Sequence, residues 1–70
     1  MNKYVVAAFS ENGVRRWYAG RFLIDGLFDS RLCTFATKEE ADEAHKVVKI
    51  SWPDVKNVRT YVLGVSAYPV

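Results

Sequence analysis

Seventy residues include one cysteine, one histidine, one methionine and two prolines. A single cysteine excludes an internal disulfide, and Cys33 with His45 supplies too few ligands for a metal site. No apolar run approaches the ~18 residues of a membrane-spanning helix, and no charged start leads into the apolar stretch of a secretory signal. A cytoplasmic protein without membrane contact is therefore expected. Charge of one sign is lacking too. Ten basic residues against eight acidic ones leave a net charge of +2, without the strong basic excess of a dedicated nucleic-acid binder.

Catalytic and cofactor signatures are equally sparse. The four glycines make no phosphate-binding fingerprint, because Gly20 and Gly26 stand in no strand–glycine–helix context. Cys33 and His45 are the candidates for nucleophile and base, with Asp25, Asp29 or Asp54 to orient the imidazole, and no motif joins them. Glu39 and Glu43, four apart, read as a solvated acidic helix face near the positive end of the dipole. A chain this short has little volume for a substrate cleft. The expectation is a non-enzymatic protein with no cofactor and no small-molecule substrate.

What is present is apolar. Half of the residues are hydrophobic and 14% are aromatic, so the chain reads as one folded domain over 1–70. "YVVAAFS", Tyr4 to Ser10, is rich in strand formers, and Asn12-Gly13 after it suits a tight turn into a second strand over Val14 to Phe22. Gly26 and two aspartates interrupt "LIDGLFDS" before a short third strand over Arg31 to Phe35. "TKEE" from Thr37 is a capping box that opens a helix, whose Ala41, Ala44, His45 and Val48 share one face. Pro53 stops that helix near Ile50, and Val58 to Val65 forms the last strand before a short tail containing Pro69. The fold class is α+β, a small antiparallel sheet of three or four strands with one helix packed on one face, in the order β-β-β-α-β.

Such a sheet has more apolar surface than one helix covers. Val5, Ala7 and Phe9 point one way and Tyr4, Val6 and Ala8 the other, yet both sets are apolar. The stretch "RRWYAGRF", Arg15 to Phe22, concentrates the problem. Strand alternation sets Arg15, Trp17, Ala19 and Arg21 on one side and Arg16, Tyr18, Gly20 and Phe22 on the other. With Tyr18 and Phe22 under the helix, Trp17 lies between Arg15 and Arg21 on the uncovered face. Three readings follow. The 23–30 loop half-covers Trp17 and the arginine stems pack on it; the face meets a protein partner or a second copy, for which Trp, Tyr and Arg are suited; or it stacks nucleic-acid bases. The candidate partner-binding residues are Arg15, Trp17 and Arg21, with Arg59 and Tyr61 of the last strand beside them.

Two resemblances bear on function. "NKYVVAAFSENGVRRWY" followed by "CTFATKEEADEAHKVVK" resembles the small single-domain proteins of phages and other mobile elements, in which a hairpin precedes an "F-x-T-x-E-E-A" helix start. The resemblance spans about residues 2–49. It implies an accessory or inhibitor protein that occludes a host or defence protein, the anti-CRISPR proteins being one such class. "AGRFLIDG" followed by "FATKEEA" resembles the Gly-Arg stretch and helix entry of the WGR domain, with Ala19 in the place of that domain's tryptophan, and implies association with DNA. The leading expectation is a protein-binding module, acting as a phage or mobile-element inhibitor, with a homodimer as one form of it. Nucleic-acid binding through the basic aromatic strand 15–22 is the alternative.

Overall fold

A computed structural model of the chain describes residues 3–27, 29–64 and 66–70. Its elements are β1 (Lys3–Phe9), β2 (Arg15–Tyr18), β3 (Leu23–Ile24), α1 (Lys38–Ser51), β4 (Lys56–Leu63) and β5 (Ala67–Pro69). The strands form one antiparallel sheet in the order β3-β2-β1-β4-β5, and α1 packs on β1 and β4. The α+β class with one helix on one face is as expected, and the described sheet has five strands rather than three or four.

The local chemistry of each element is ordinary. The first turn closes through the Ser10 N–H to the Val14 carbonyl and the Gly13 N–H to the Ser10 carbonyl, both 2.9 Å, with Gly13 at φ +79°. Thr37 caps α1 in an extended conformation: its Oγ1 accepts the Glu40 N–H at 3.2 Å, and its hydroxyl donates to the Glu40 carboxylate rather than that carboxylate reaching the Thr37 amide. The helix runs one residue past Ile50, to Ser51. Trp52 closes it by donating its N–H to the Val48 carbonyl at 2.9 Å, and Pro53 follows.

The second strand is shorter than alternation suggests. It ends at Tyr18 because the chain reverses at Gly20, φ +77°, where the Ala19 N–H bonds the Phe22 carbonyl at 2.9 Å. That reversal sets Leu23–Ile24 beside β2, so β3 arises eight residues before the strand expected at Arg31 to Phe35. The latter segment is not a strand. It runs along the part of β1 that β2 has left, bridging Phe35 to Tyr4 and donating the Cys33 N–H to the Tyr18 carbonyl. β5, expected as a tail, pairs with Tyr61–Leu63 of β4.

Two cores result, one on each face of the sheet. Below α1, Val6 and Ala8 meet Ala41, Ala44 and Val48, ringed by Tyr4, Tyr18, Phe35, Trp52, Val55 and Val58. On the far face, Val5, Ala7, Trp17, Ala19, Ile24 and Tyr61 pack together, flanked by Leu27, Leu32, Leu63 and Ala67. β1 is apolar on both sides because it is the central strand and both its faces are covered. The sheet edges are blunt: β3 has two residues, β5 contains Pro69, and the part of β4 beyond β5 carries Lys56, Arg59 and the left-handed Asn57 at φ +53°.

Candidate interaction face

The face away from the helix is set by register. One row runs Ile24, Trp17, Ala7, Arg59 across β3, β2, β1 and β4; the next runs Arg15, Phe9, Lys56. Tyr61 stands opposite Val5, and Lys3 opposite Leu63. Strict alternation would send Lys56 to the helix side with Val58 and Thr60. The register shift between Ala7 and Phe9, where β4 makes its positive-φ kink at Asn57, returns Lys56 to the side of Arg59.

Trp17 is not the bare residue that alternation implies. It is 2% exposed, and Tyr61 is 5% exposed. Their rings meet edge to face at 5.1 Å, Leu27 and Leu32 of the connection to α1 pack on the cluster, and the Arg15 guanidinium lies 4.8 Å from the Trp17 ring centre and 5.6 Å from that of Tyr61. The cover is thus the connecting loop and an arginine. Phe22, expected under the helix, is 53% exposed because the turn at Gly20 breaks the alternation that placed it there; Arg31 lies over its ring at 5.5 Å instead. The same turn takes Arg21 out of the strand, so it does not share the row of Arg15 and Trp17. Tyr18 is on the helix side as expected, parallel to Phe35 and edge-on to Trp52. Of the five candidate residues, Arg15, Trp17, Arg59 and Tyr61 share the face. Two of them, Trp17 and Tyr61, lie beneath its surface.

Cations dominate what this face exposes. Lys3, Arg15, Lys56 and Arg59 are exposed, and no strand residue on this side is acidic. Among the described residues none of the four stands within ion-pair distance of a carboxylate, whereas Arg16 pairs with Asp25 at 3.4 Å, Arg31 with Asp29 at 2.8 Å, Lys38 with Asp42 at 2.8 Å and Lys46 with Glu43 at 3.7 Å. The Arg31 hydrogen bonds hold the Asp29 carboxyl down to about 2. Sequence reading found Arg15 and Arg59. It missed Lys3 and Lys56; alternation from Val5 already places Lys3, but only the kink in β4 places Lys56.

The other polar cluster ties helix to sheet. The Thr60 hydroxyl, on a residue 4% exposed, donates to Asp42 Oδ1 at 2.6 Å, and its oxygen accepts from His45 Nε2 at 2.8 Å. With that donor role the neutral imidazole carries its proton on Nε2. Burial pushes the His45 pKa down against the attraction of Asp42, and the Lys38 ammonium, followed by Thr60, holds the Asp42 carboxyl below its usual range. An open cleft of about 480 Å³ lies over this cluster, between Lys38, Asp42 and His45 on the helix and Val58, Arg59, Thr60 and Val70. Every buried side-chain polar atom among the described residues has a partner, so none is left to orient a ligand there.

Cys33 and His45 do not meet as nucleophile and base. The Cys33 backbone bonds Tyr18 of β2, while His45 bonds Thr60 of β4, with β1 between them. No group of three metal-ligating residues occurs among the described residues, and no described helix is long and apolar enough to cross a membrane. No family model, curated protein or solved structure matches the chain.

Proposed function

We propose that the protein is a non-enzymatic binding module that engages a protein partner through the sheet face turned away from α1, in the manner of the small accessory and inhibitor proteins of phages and mobile elements. The observation that carries the reading is the set of four exposed cations on that face, Lys3, Arg15, Lys56 and Arg59, over a closed apolar layer and without a carboxylate among its strand residues. Opposite charge is concentrated elsewhere: Glu39, Glu40, Asp42 and Glu43 lie in the first half of α1. A surface polarised in this way steers and orients an approaching partner. Strand addition at an edge is disfavoured by the blunt edges, which leaves the face.

Burial of Trp17 and Tyr61 favours a protein over nucleic acid. Binding of single strands draws on exposed aromatic faces for base stacking, and these two rings offer none. The test is retention of partners from a lysate of the source organism by wild type, by the double variant Arg15→Glu/Arg59→Glu and by Glu43→Lys on the helix. A discrete protein that survives nuclease treatment, is held by wild type and Glu43→Lys, and is lost with the double variant is the expected result. Retention of nucleic acid alone, or a protein held equally by the double variant, overturns the reading.

A further inference from the structure

Arg15 differs from the other arginines in how it is held. Its guanidinium rests over two buried rings, Trp17 and Tyr61, at 4.8 and 5.6 Å, while Arg16 and Arg31 are engaged by Asp25 and Asp29. Among the described residues the Arg15 N–H donors have no side-chain or carboxylate acceptor. A guanidinium held against aromatic rings has lost part of its rotamer freedom before any ligand arrives, and its planar fork matches a carboxylate in bidentate geometry. Phe9 stands opposite both Arg15 and Lys56, and Arg59 lies in the neighbouring row, so three cations bracket one apolar strand.

We propose that Arg15, seated on the Trp17–Tyr61 pair, is a preorganised carboxylate fork, and that with Lys56 and Arg59 it binds an acidic segment of the partner protein. The inference rests on the reading of this face as the protein-binding one, and it names the chemistry of the partner. Strands about 4.8 Å apart put the Arg15 and Lys56 backbones, two strands distant, about 10 Å from each other. That spacing suits two or three carboxylates on alternate residues of one extended segment, which point to the same side. Three cations neutralise few phosphates of a duplex, whose electrostatic affinity grows with the number of phosphates contacted. Among the described residues, the strands of this face carry no carboxylate that a partner would have to displace, and Asp25 and Asp29 of the connection are held by Arg16 and Arg31.

The experiment follows backbone amide shifts of the ¹⁵N-labelled protein during titration with a short peptide of alternating Glu and Gly, and separately with an oligothymidylate of the same length. The peptide is expected to shift amides of β1, β2 and the Lys56–Arg59 segment while leaving the outer helix unchanged. Arg15→Gln is expected to weaken it about tenfold or more, as loss of a charge-assisted pair implies. Arg15→Lys, which keeps the charge and loses the fork, is expected to weaken it about threefold or more. Retained dispersion of the amide spectrum shows that each variant folds. Peptide shifts on the face that are unchanged in Arg15→Gln overturn the fork and leave the binding face standing. Shifts confined to other surfaces, tighter binding of the oligothymidylate, or no shift with peptide at about 1 mM overturn the acidic-segment inference, and the first two overturn the protein-binding face as well.

Discussion

Replacing Trp17 by alanine tests the placement on which the account of this sheet depends. A tryptophan side chain buries on the order of 200–250 Å². At about 25 cal/mol per Å², that is ~5–6 kcal/mol as an upper estimate, and truncations of large buried aromatics cost about 3–5 kcal/mol in practice. Trp17 is 2% exposed, and its removal also strips the ring from under Arg15 and from the edge of Tyr61. A chain of seventy residues has a total stability of only about 3–10 kcal/mol, so Trp17→Ala is expected to lose a large share of it and, at the lower end of that range, to be unfolded at 25 °C. Urea titration followed by far-ultraviolet circular dichroism measures the loss. Phe22→Ala is the internal comparison, because strand alternation assigns Phe22 to the core and Trp17 to the surface, while the structure reverses the two. Phe22→Ala is expected to cost less than about 1 kcal/mol. A Trp17→Ala protein within about 1 kcal/mol of wild type, or a Phe22→Ala protein less stable than it, refutes the burial of Trp17 beneath the loop.

The other expectations concern the polar groups. Thr60→Val keeps the shape but removes both hydrogen bonds to the helix, and should lower the urea-derived stability by about 1–3 kcal/mol, mostly through the stranded His45 donor. His45 has a folded-state pKa below its ordinary value, so the unfolded chain takes up the proton first; stability is full above about pH 6.5 and falls as the pH drops through the ordinary histidine range toward the lowered value. Thermal melts between about pH 7.5 and pH 5 should show this decline in wild type and a flatter profile in His45→Gln; the lowered Asp42 carboxyl adds a separate loss outside that window, as the pH falls through the ordinary carboxylate range at about 4. Lys56→Gln removes one of several neighbouring like charges and should leave stability unchanged or raise it by a few tenths of a kcal/mol at low salt. A clear destabilisation there means that Lys56 has an intramolecular partner.

What was legible in the sequence was whatever depends on near neighbours in the chain. The Thr37 cap, the Ala41, Ala44 and Val48 stripe and the stop before Pro53 each rest on residues within a turn or two, and each is found in place. The first hairpin is local as well. Errors began where one residue changed the direction of the chain. Strand alternation places Gly20 inside a strand; its positive φ instead ends β2 at Tyr18, starts β3 early, releases Phe22 to solvent and removes Arg21 from the row of Arg15. Asn57 has the same kind of effect on Lys56, and nothing in "DVKNV" announces it except that asparagine tolerates the left-handed region. Period-two reasoning assumes an unbroken pleat, and these two kinks break it at the places where the candidate face is assembled.

The surplus of apolar strand residues bears differently on function once its cover is known. An uncovered sheet face would have made hydrophobic area the source of affinity for a partner. Here Leu27 and Leu32, carried by the connection between β3 and α1, pack with Leu63 and Ala67 against the buried cluster on that face, and Arg15 lies over its two rings. In the proposed binding mode the aromatic pair acts at one remove, by fixing where a guanidinium sits rather than by touching a partner. Affinity on such a face depends on charge, so it should respond to ionic strength more steeply than an apolar hot spot would. On the proposed reading, the stability of the domain and recognition by its surface are coupled through the same two rings. If the face binds as proposed, a substitution at Trp17 or Tyr61 is expected to weaken both, whereas changes at the exposed Lys56 and Arg59 are expected to alter recognition alone.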